Sequence, residues 1–341
     1  MLNVVYRLTR PRKFEVKFTE CDASCANPVI RPLALSICNA DQRYYRGKRP
    51  PEILAAKLPM ALIHEACGTV VYAGGSSFTP GSTVVMIPNT PCDTDPYIAE
   101  NYLCSSRFRA SGFDGFMQDL ISMPEDRIVA APAGIDTDIL AFTEFVSVGY
   151  HAVTRMTVMS HGRRERIGIW GDGNLAFVVA LIVKHMLPET KIVIFGVNED
   201  KLDKFTFADE TYLTTGVPAD VTFDHAFECV GGEGSPKAIN RIIDLIKPEG
   251  TISILGVSEN PVPINTRMIL EKGLRMFGSS RSGREDFDGV MRLYREHPEV
   301  PDFLSSIVGD VVDVRSCDDM VKAFELDIRK YHGKTIMHWN V

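Results

Sequence analysis

Apolar and polar positions trade places in two different rhythms along this chain. Over 4–8, 14–18, 29–35, 68–73 and 83–87 the residues are β-branched or aromatic, in short runs broken by Pro, Gly, Asn and Ser. That pattern predicts strands joined by turns, so residues 1–145 read as an antiparallel, β-rich domain. Near Val146 the rhythm changes. A short apolar strand over 166–170 runs into a glycine loop, and 175–186 is apolar at helical spacing. Strands follow over 191–195, 223–229 and 250–256, with an amphipathic helix over 236–246. Such alternation of strand and helix predicts a parallel sheet with crossover helices. Beyond Gly278 the chain is more polar, with helices expected over 287–295 and 320–328. A final strand over 334–339 is expected to return to the first domain. No internal repeat or low-complexity segment is present.

The 341 residues suffice for two domains with separate cores. A net charge of −7 argues against a general nucleic-acid or anionic-membrane surface, so a phosphorylated ligand must meet a local basic cluster. No apolar run reaches membrane-spanning length, and residues 1–12 lack the apolar core of a signal peptide. A cytoplasmic protein is expected. Its eight cysteines are then read as thiols or metal ligands rather than a disulfide framework.

The glycine loop is Gly171-Asp172-Gly173-Asn174-Leu175-Ala176. With a strand before it and a helix and strand after it, it has the context of a dinucleotide fingerprint. Gly171 allows the tight turn and Gly173 lets the backbone approach a pyrophosphate. Asn174 and Leu175 open the helix whose N-terminus faces that anion, and Ala176 stands at the third, usually glycine, position. The bland alternative, a glycine turn in an unrelated α/β domain, lacks a reason for this order of elements. An NAD enzyme places an acid at the end of the second strand, to bond the ribose 2′-hydroxyl. This chain has Gly196 there, followed by Lys201 and Lys204. Two lysines alone read as a solvated helix face. With the acid missing they favour NADP, and Arg281 is a further candidate for a cofactor phosphate.

Cys38, His64, Glu65 and Glu144 supply the S, N and O donors that zinc takes. A catalytic zinc needs three of them and an open position for a substrate oxygen, which polarises a carbonyl. Each residue alone has a plainer reading, as a buried thiol or a satisfied core histidine. Cys67, three residues after His64, is a rival ligand.

The order of these features resembles the medium-chain zinc alcohol dehydrogenase superfamily over nearly the whole chain. Cys38 and Asp41 match its C-x-x-D context, and His64-Glu65 its histidine-glutamate pair. Glu144 to Ala152 resembles, with a one-residue slide, the E-x-x-x-V-G-x-H-A stretch of its polyol-dehydrogenase branch. The segments Ser36 to Tyr45, Val85 to Pro91, Ile169 to Leu175, Phe223 to Gly232 and Gly278 to Gly283 resemble the members of that branch that reduce a pentulose phosphate. The resemblance implies an α/β architecture: a chaperonin-10-like, β-rich catalytic domain over 1–147 and 286–341, and a doubly wound Rossmann NADP-binding domain over 148–285, with the active site between them. It also implies one catalytic zinc, with Cys38, His64, Glu65 and Glu144 as metal residues and Asp41 beside them, and a homodimer joined through the Rossmann sheet.

The reaction so implied is reduction of D-ribulose 5-phosphate to D-ribitol 5-phosphate by NADPH. The product would pass to a ribitol-5-phosphate cytidylyltransferase, which makes CDP-ribitol for teichoic acid or capsule in cell wall biogenesis. Arg43 and Lys48, close after Cys38, are candidates for the substrate phosphate, with Arg49, Arg107 and Arg109 as others. Three departures from the superfamily stand out. Ile63 replaces a common glycine. Ala40 replaces a Ser or Thr that relays the proton, which must then travel through water, Tyr44 or Glu65. Only Cys92 and Cys104 lie where larger members have four zinc-binding cysteines. Two rival readings are an NAD-dependent zinc dehydrogenase of unphosphorylated sugar alcohols and a binding protein on a retained dehydrogenase fold.

Overall fold

The computed structural model describes residues 1–21 and 26–341. Its contacts divide the chain into two compact units, Met1–Ser147 with Ser282–Val341, and Val148–Arg281. The first division falls inside one helix, Thr143–Met159.

The first unit is built on a seven-stranded sheet. Its main path runs Ile128–Ala130, Thr83–Met86, Glu65–Tyr72, Val29–Ser36, Lys334–Trp339, Val308–Val314, and Ile121–Ser122 also pairs with Val29–Ser36. All neighbours are antiparallel except the last two on the path, which run parallel. The strand Lys334–Trp339 thus lies between the two ends of the unit's sequence, pairing with Val29–Ser36 on one side. A smaller sheet joins Lys13–Glu20, Leu2–Arg10 and Met60–Ala61. Between and around these sheets lies a core that includes Leu8, Ile37, Tyr45, Phe116 and Phe324, each almost fully buried. Tyr45 stacks on Phe324 with ring centroids 4.6 Å apart.

Helices stand where strands and turns alone were expected: Asn39–Tyr45, Pro51–Lys57, Thr137–Ala141 and the start of Thr143–Met159. The first three are seven residues or fewer, too short to print a helical period on the sequence. In Thr143–Met159 buried positions continue round much of the helix, so no polar face marks it.

The second unit is a six-stranded parallel sheet. Numbered in chain order from Arg166–Trp170, its strands lie 3-2-1-4-5-6, ending on Arg275–Gly278. This is the doubly wound order of a Rossmann sheet, whose ligands bind beyond the carboxyl ends of the strands at the switch between the first and fourth. The inner strands Arg166–Trp170, Lys191–Gly196 and Phe223–Glu228 are almost wholly buried on both faces, so they read as largely apolar runs. Trp170 stacks on Phe195 at 3.7 Å, and Phe223 meets both rings. Gly168 leaves room for this: a Cβ there would stand 3.0 Å from the Phe223 ring.

One backbone contact in the first unit ties fold to site. The segment leading to His64 runs under Gly115, and a Cβ on Gly115 would lie 2.3 Å from the carbonyl oxygens of both Leu62 and Ile63. Main-chain bonds from Gly115 to Ala61 and from Phe116 to Ile63 hold the two segments together at 2.8 and 2.7 Å. Because the obstacle is backbone on both sides, Gly115→Ala is expected to destabilise the protein by at least about 2 kcal/mol. A urea unfolding midpoint equal to that of the parent would contradict this.

Candidate active site

The site grows from one buried carboxylate. Asp41 sits in the first turn of Asn39–Tyr45 with no exposed surface. Its Oδ2 accepts from the Cys38 backbone N–H at 3.2 Å, and its Oδ1 accepts from the Ile63 N–H at 2.9 Å. Oδ2 also lies 3.5 Å from Nδ1 of His64. One side chain thus fixes the two chain segments that carry the cysteine and the histidine. A carboxylate on Nδ1 selects the tautomer whose lone pair is on Nε2, the arrangement of a metal-ligating histidine. Burial pushes the His64 imidazolium toward the neutral form, but Asp41 and then Cys38 outweigh it and hold its pKa well above the ordinary value.

Ile63 adopts φ +69°, a left-handed conformation that a β-branched residue rarely takes. This accounts for the glycine that the superfamily often has there. In this chain the Asp41 bond to its N–H, the Phe116 bond to its carbonyl and complete burial of its side chain hold the strained residue in place.

Donor atoms of Cys38, His64 and Glu65 lie within 4.8 Å of one another. Glu144 is not in that compact group. Its carboxyl is buried, and its pKa is raised to about 7. Burial is the main cause, His64 opposes it, and the charge of Glu65 adds to it. Glu65, in contrast, is fully engaged. Its carboxylate accepts from Ser36 Oγ at 2.6 Å and from Lys334 Nζ at 2.8 Å. Lys334 is itself buried, with its ammonium 4.7 Å from the Phe145 ring centroid. The cluster therefore holds thiol, imidazole and three carboxyl groups against one lysine. A dication fits that donor set. The rival Cys67 is elsewhere: its buried thiol donates to the Thr137 carbonyl at 3.5 Å, and burial pushes its pKa up to about 12.

Sequence reasoning did not single out Ser36 or Lys334. Neither has a motif signal, because each acts only through the sheet register, in which Ser36 pairs with Glu65 on one side and Ile336 on the other.

In the second unit the glycine loop has the shape its sequence implies. Gly171 takes φ +128°, and a Cβ there would lie 3.2 Å from the Cys229 carbonyl oxygen. Gly173 precedes the 13-residue helix Asn174–Met186, receives no side-chain cap, and has open space where a Cβ would be. An uncapped helix N-terminus over open space suits a pyrophosphate. Glu228, at the end of the fourth strand, caps the neighbouring loop through Val230, Gly231 and Gly256 N–H groups at 2.9–3.0 Å.

Gly196 ends the second strand, but the space over it is taken. Asp172, from the glycine loop, places Oδ2 2.8 Å from the Val197 N–H and 2.9 Å from that of Asn198. A Cβ on Gly196 would lie 2.8 Å from Asp172 Cβ and from Leu202 Cδ2. Introducing an acid at 196 therefore disturbs packing as well as charge, and is not a clean probe of cofactor choice. Lys201 lies in the short helix Glu199–Leu202 and Lys204 just beyond it, both half-buried. Burial lowers the pKa of Lys204. Arg281 is exposed, three residues past Arg275–Gly278, with φ +58°.

The basic candidates separate. Lys48 is exposed. Arg43 is partly buried, and burial followed by repulsion from Arg49 lowers its pKa. Arg49 lies 5.1 Å and Lys57 5.9 Å from the ring centroid of Tyr44. Arg107 and Arg109 stack on Phe113 at 4.4 and 5.2 Å.

A doubly wound dinucleotide unit and a β-rich unit holding a cysteine, histidine and carboxylate cluster define a metal-dependent dehydrogenase. The alcohol dehydrogenase GroES-like domain family matches residues 27–133, and the zinc-binding dehydrogenase family matches residues 213–296. Ribulose-5-phosphate reductase 1 of Staphylococcus aureus is 48% identical over 339 residues, 99% of each chain. Ribulose-5-phosphate reductase of Bacillus spizizenii is 48% identical over the full length of both chains. The crystal structure of S. aureus TarJ in complex with NADPH superposes with a TM-score of 0.90, at 44% identity and 99% coverage of both. The chain belongs to the medium-chain, zinc-type dehydrogenases, in the family of these ribulose-5-phosphate reductases. L-idonate 5-dehydrogenase from Escherichia coli, at 20% identity and TM-score 0.86 over 99% of each chain, shares the fold.

The buried pair of Lys334 and Glu65 carries a stability prediction. Lys334→Met removes the ammonium bonded to Glu65 and leaves its buried carboxylate with the Ser36 hydroxyl, at an expected cost of about 3–5 kcal/mol. The double variant Lys334→Met with Glu65→Gln should recover much of that loss. Denaturant titration of the three proteins checks it, and a single variant as stable as the parent would refute the pairing.

Proposed function

We propose that this chain reduces D-ribulose 5-phosphate to D-ribitol 5-phosphate with NADPH, the reaction of a ribitol-5-phosphate 2-dehydrogenase that serves teichoic acid synthesis. The observation that carries the reading is the cluster of Cys38, His64 and Glu65, with the buried carboxyl of Glu144 under the influence of His64, in a chain that matches ribulose-5-phosphate reductases from end to end.

Cys38, His64 and Glu144 would hold one zinc. Glu65 is already held by Ser36 and Lys334, so it is the carboxylate behind the ligands rather than the third ligand. When bound, zinc supplies a Lewis acid for the C2 carbonyl, and NADPH supplies the hydride. The rest is the work of the chain. Asp41 orients His64 and the Cys38 backbone. Gly171, Gly173, Asn174 and Leu175 would cradle the cofactor pyrophosphate, and Lys201 and Lys204 would pair with its 2′-phosphate. Ala40 has no hydroxyl, so the proton delivered to the product oxygen comes from another group. Arg43 and Arg49, close enough to repel, would be relieved by the dianionic phosphate of the sugar, and we favour this pair over the exposed Lys48.

A homodimer would pair the strand Arg275–Gly278 with its symmetry mate, since among the described residues that strand is bonded on one side only. No helix of the described residues is long and apolar enough to cross a membrane, and we place the enzyme in the cytoplasm. There its product would feed a cytidylyltransferase.

The deciding experiment compares D-ribulose with its 5-phosphate in steady-state NADPH oxidation, with zinc measured in the same preparations. One zinc per chain is expected, lost in Cys38→Ser. The phosphate should raise kcat/KM by at least about two orders of magnitude, the value of one charge-assisted clamp of roughly 3 kcal/mol. Arg43→Ala or Arg49→Ala should narrow the gap. Equal efficiency for both sugars would sink the sugar-phosphate assignment in favour of a plain polyol dehydrogenase.

Cofactor choice has its own test. Lys201→Ala and Lys204→Ala should each raise KM for NADPH about threefold to tenfold, the cost of one partly exposed ion pair, and leave KM for NADH unchanged. Parallel rises for both cofactors would remove the lysines from the 2′-phosphate.

A further inference from the structure

Asn89 is fully buried, yet among the described residues neither its side-chain oxygen nor its side-chain nitrogen has a hydrogen-bond partner. Its backbone is well fixed. The Asn89 carbonyl accepts from Arg127 at 3.2 Å, and the strand Asn89–Thr90 pairs antiparallel with Arg107–Phe108. In that ladder Asn89 lies directly opposite Phe108. Directly opposed residues of an antiparallel pair project their side chains to the same face. The ring of Phe108 meets the ring of His64 with centroids 5.3 Å apart. The amide of Asn89 is therefore on the side of the ladder that faces the histidine of the metal cluster. It carries two donors and an acceptor that the protein leaves unused.

Buried amides without partners are rare, because each forfeits its bonds to water. One at the edge of a reaction site is accounted for by a ligand that completes it. A neutral amide does not select a phosphate or a carboxylate. It suits a hydroxyl, which gives and takes one hydrogen bond each. We propose that the Asn89 side chain binds a hydroxyl flanking the carbonyl carbon of the pentulose phosphate and so sets which polyhydroxy ketone is reduced. The proposal rests on the reaction assigned above and adds to it a specificity-determining residue.

The experiment measures NADPH oxidation by the zinc-loaded enzyme with three ketones: D-ribulose 5-phosphate and its 1-deoxy and 3-deoxy analogues. For the parent enzyme, removing the hydroxyl that Asn89 binds should lower kcat/KM by about ten- to a hundredfold, since the amide is then left buried and unpaired. Asn89→Leu, close in volume and without polar atoms, should lose about as much on the full substrate and less than about threefold on that one analogue. A structural role for Asn89 would instead lower all three rates in the same ratio. Zinc content and the Kd for NADPH should match the parent. If Asn89→Leu does not fold, the parent's discrimination among the three ketones decides alone. Equal kcat/KM for all three in the parent, where an internal water serves the amide, overturns the inference and leaves the assigned reaction standing. A uniform loss in Asn89→Leu does the same. If the parent turns over none of the ketones, the reaction and the inference fall together.

Discussion

Everything in the candidate site leans on the carboxylate of Asp41. It is wholly buried, and it is stabilised there because each oxygen accepts an N–H from a different stretch of chain. One stretch presents Cys38 and the other His64. A buried anion without such donors would be costly. With them it becomes a brace that sets the separation of two donors brought from distant parts of the sequence. The strain at Ile63 makes sense on the same ground. The left-handed turn at Ile63 lies between the N–H that Asp41 accepts and the carbonyl that Phe116 binds, and those bonds keep it so.

A second layer of charge stands behind the donors. Lys334 and Ser36 immobilise Glu65, while Glu144 feels His64 and Lys334 only through their charge, against a larger burial effect that raises its pKa. Two carboxyl groups close in space thus have different environments. The held one shapes the field of the pocket, and the other is available to a ligand. The same division of labour appears in the dinucleotide unit. Asp172 and Glu228 spend their oxygens on backbone N–H groups of neighbouring loops, which shapes the crevice, while the uncapped start of Asn174–Met186 is left open.

The parts of the fold with a period were legible in the sequence. The strand over 166–170, the helix after it and the last strand, 334–339, fall where the apolar pattern puts them, because each is either buried on both faces or long enough to repeat. The short helices around Cys38 were not legible. Seven residues cannot show a 3.6-residue rhythm, and the helix carrying Glu144 is buried around much of its girth. In the site, residues with a rare chemistry announced themselves: Cys38, His64 and the glycines. Ser36, Lys334 and Asp172 did not, since a serine, a lysine or an aspartate gains meaning only from what the register sets opposite it. The missing acid at Gly196 was visible. That a carboxylate from another loop fills the space above it was not, because that depends on a turn rather than on a motif.

The ion pair between Glu65 and Lys334 joins residues 269 positions apart. A ribosome adding about 5–20 residues each second needs on the order of tens of seconds to cover that interval. Throughout that time the carboxylate lacks the ammonium that it is bonded to in the interior, and the strand Val29–Ser36 of the larger sheet is still missing one neighbour. The N-terminal segments therefore cannot close around the site as they emerge. The dinucleotide unit is synthesised in between and needs nothing from the end of the chain for its six strands. Order of manufacture and order of completion are thus reversed: the half of the protein made first is the half finished last.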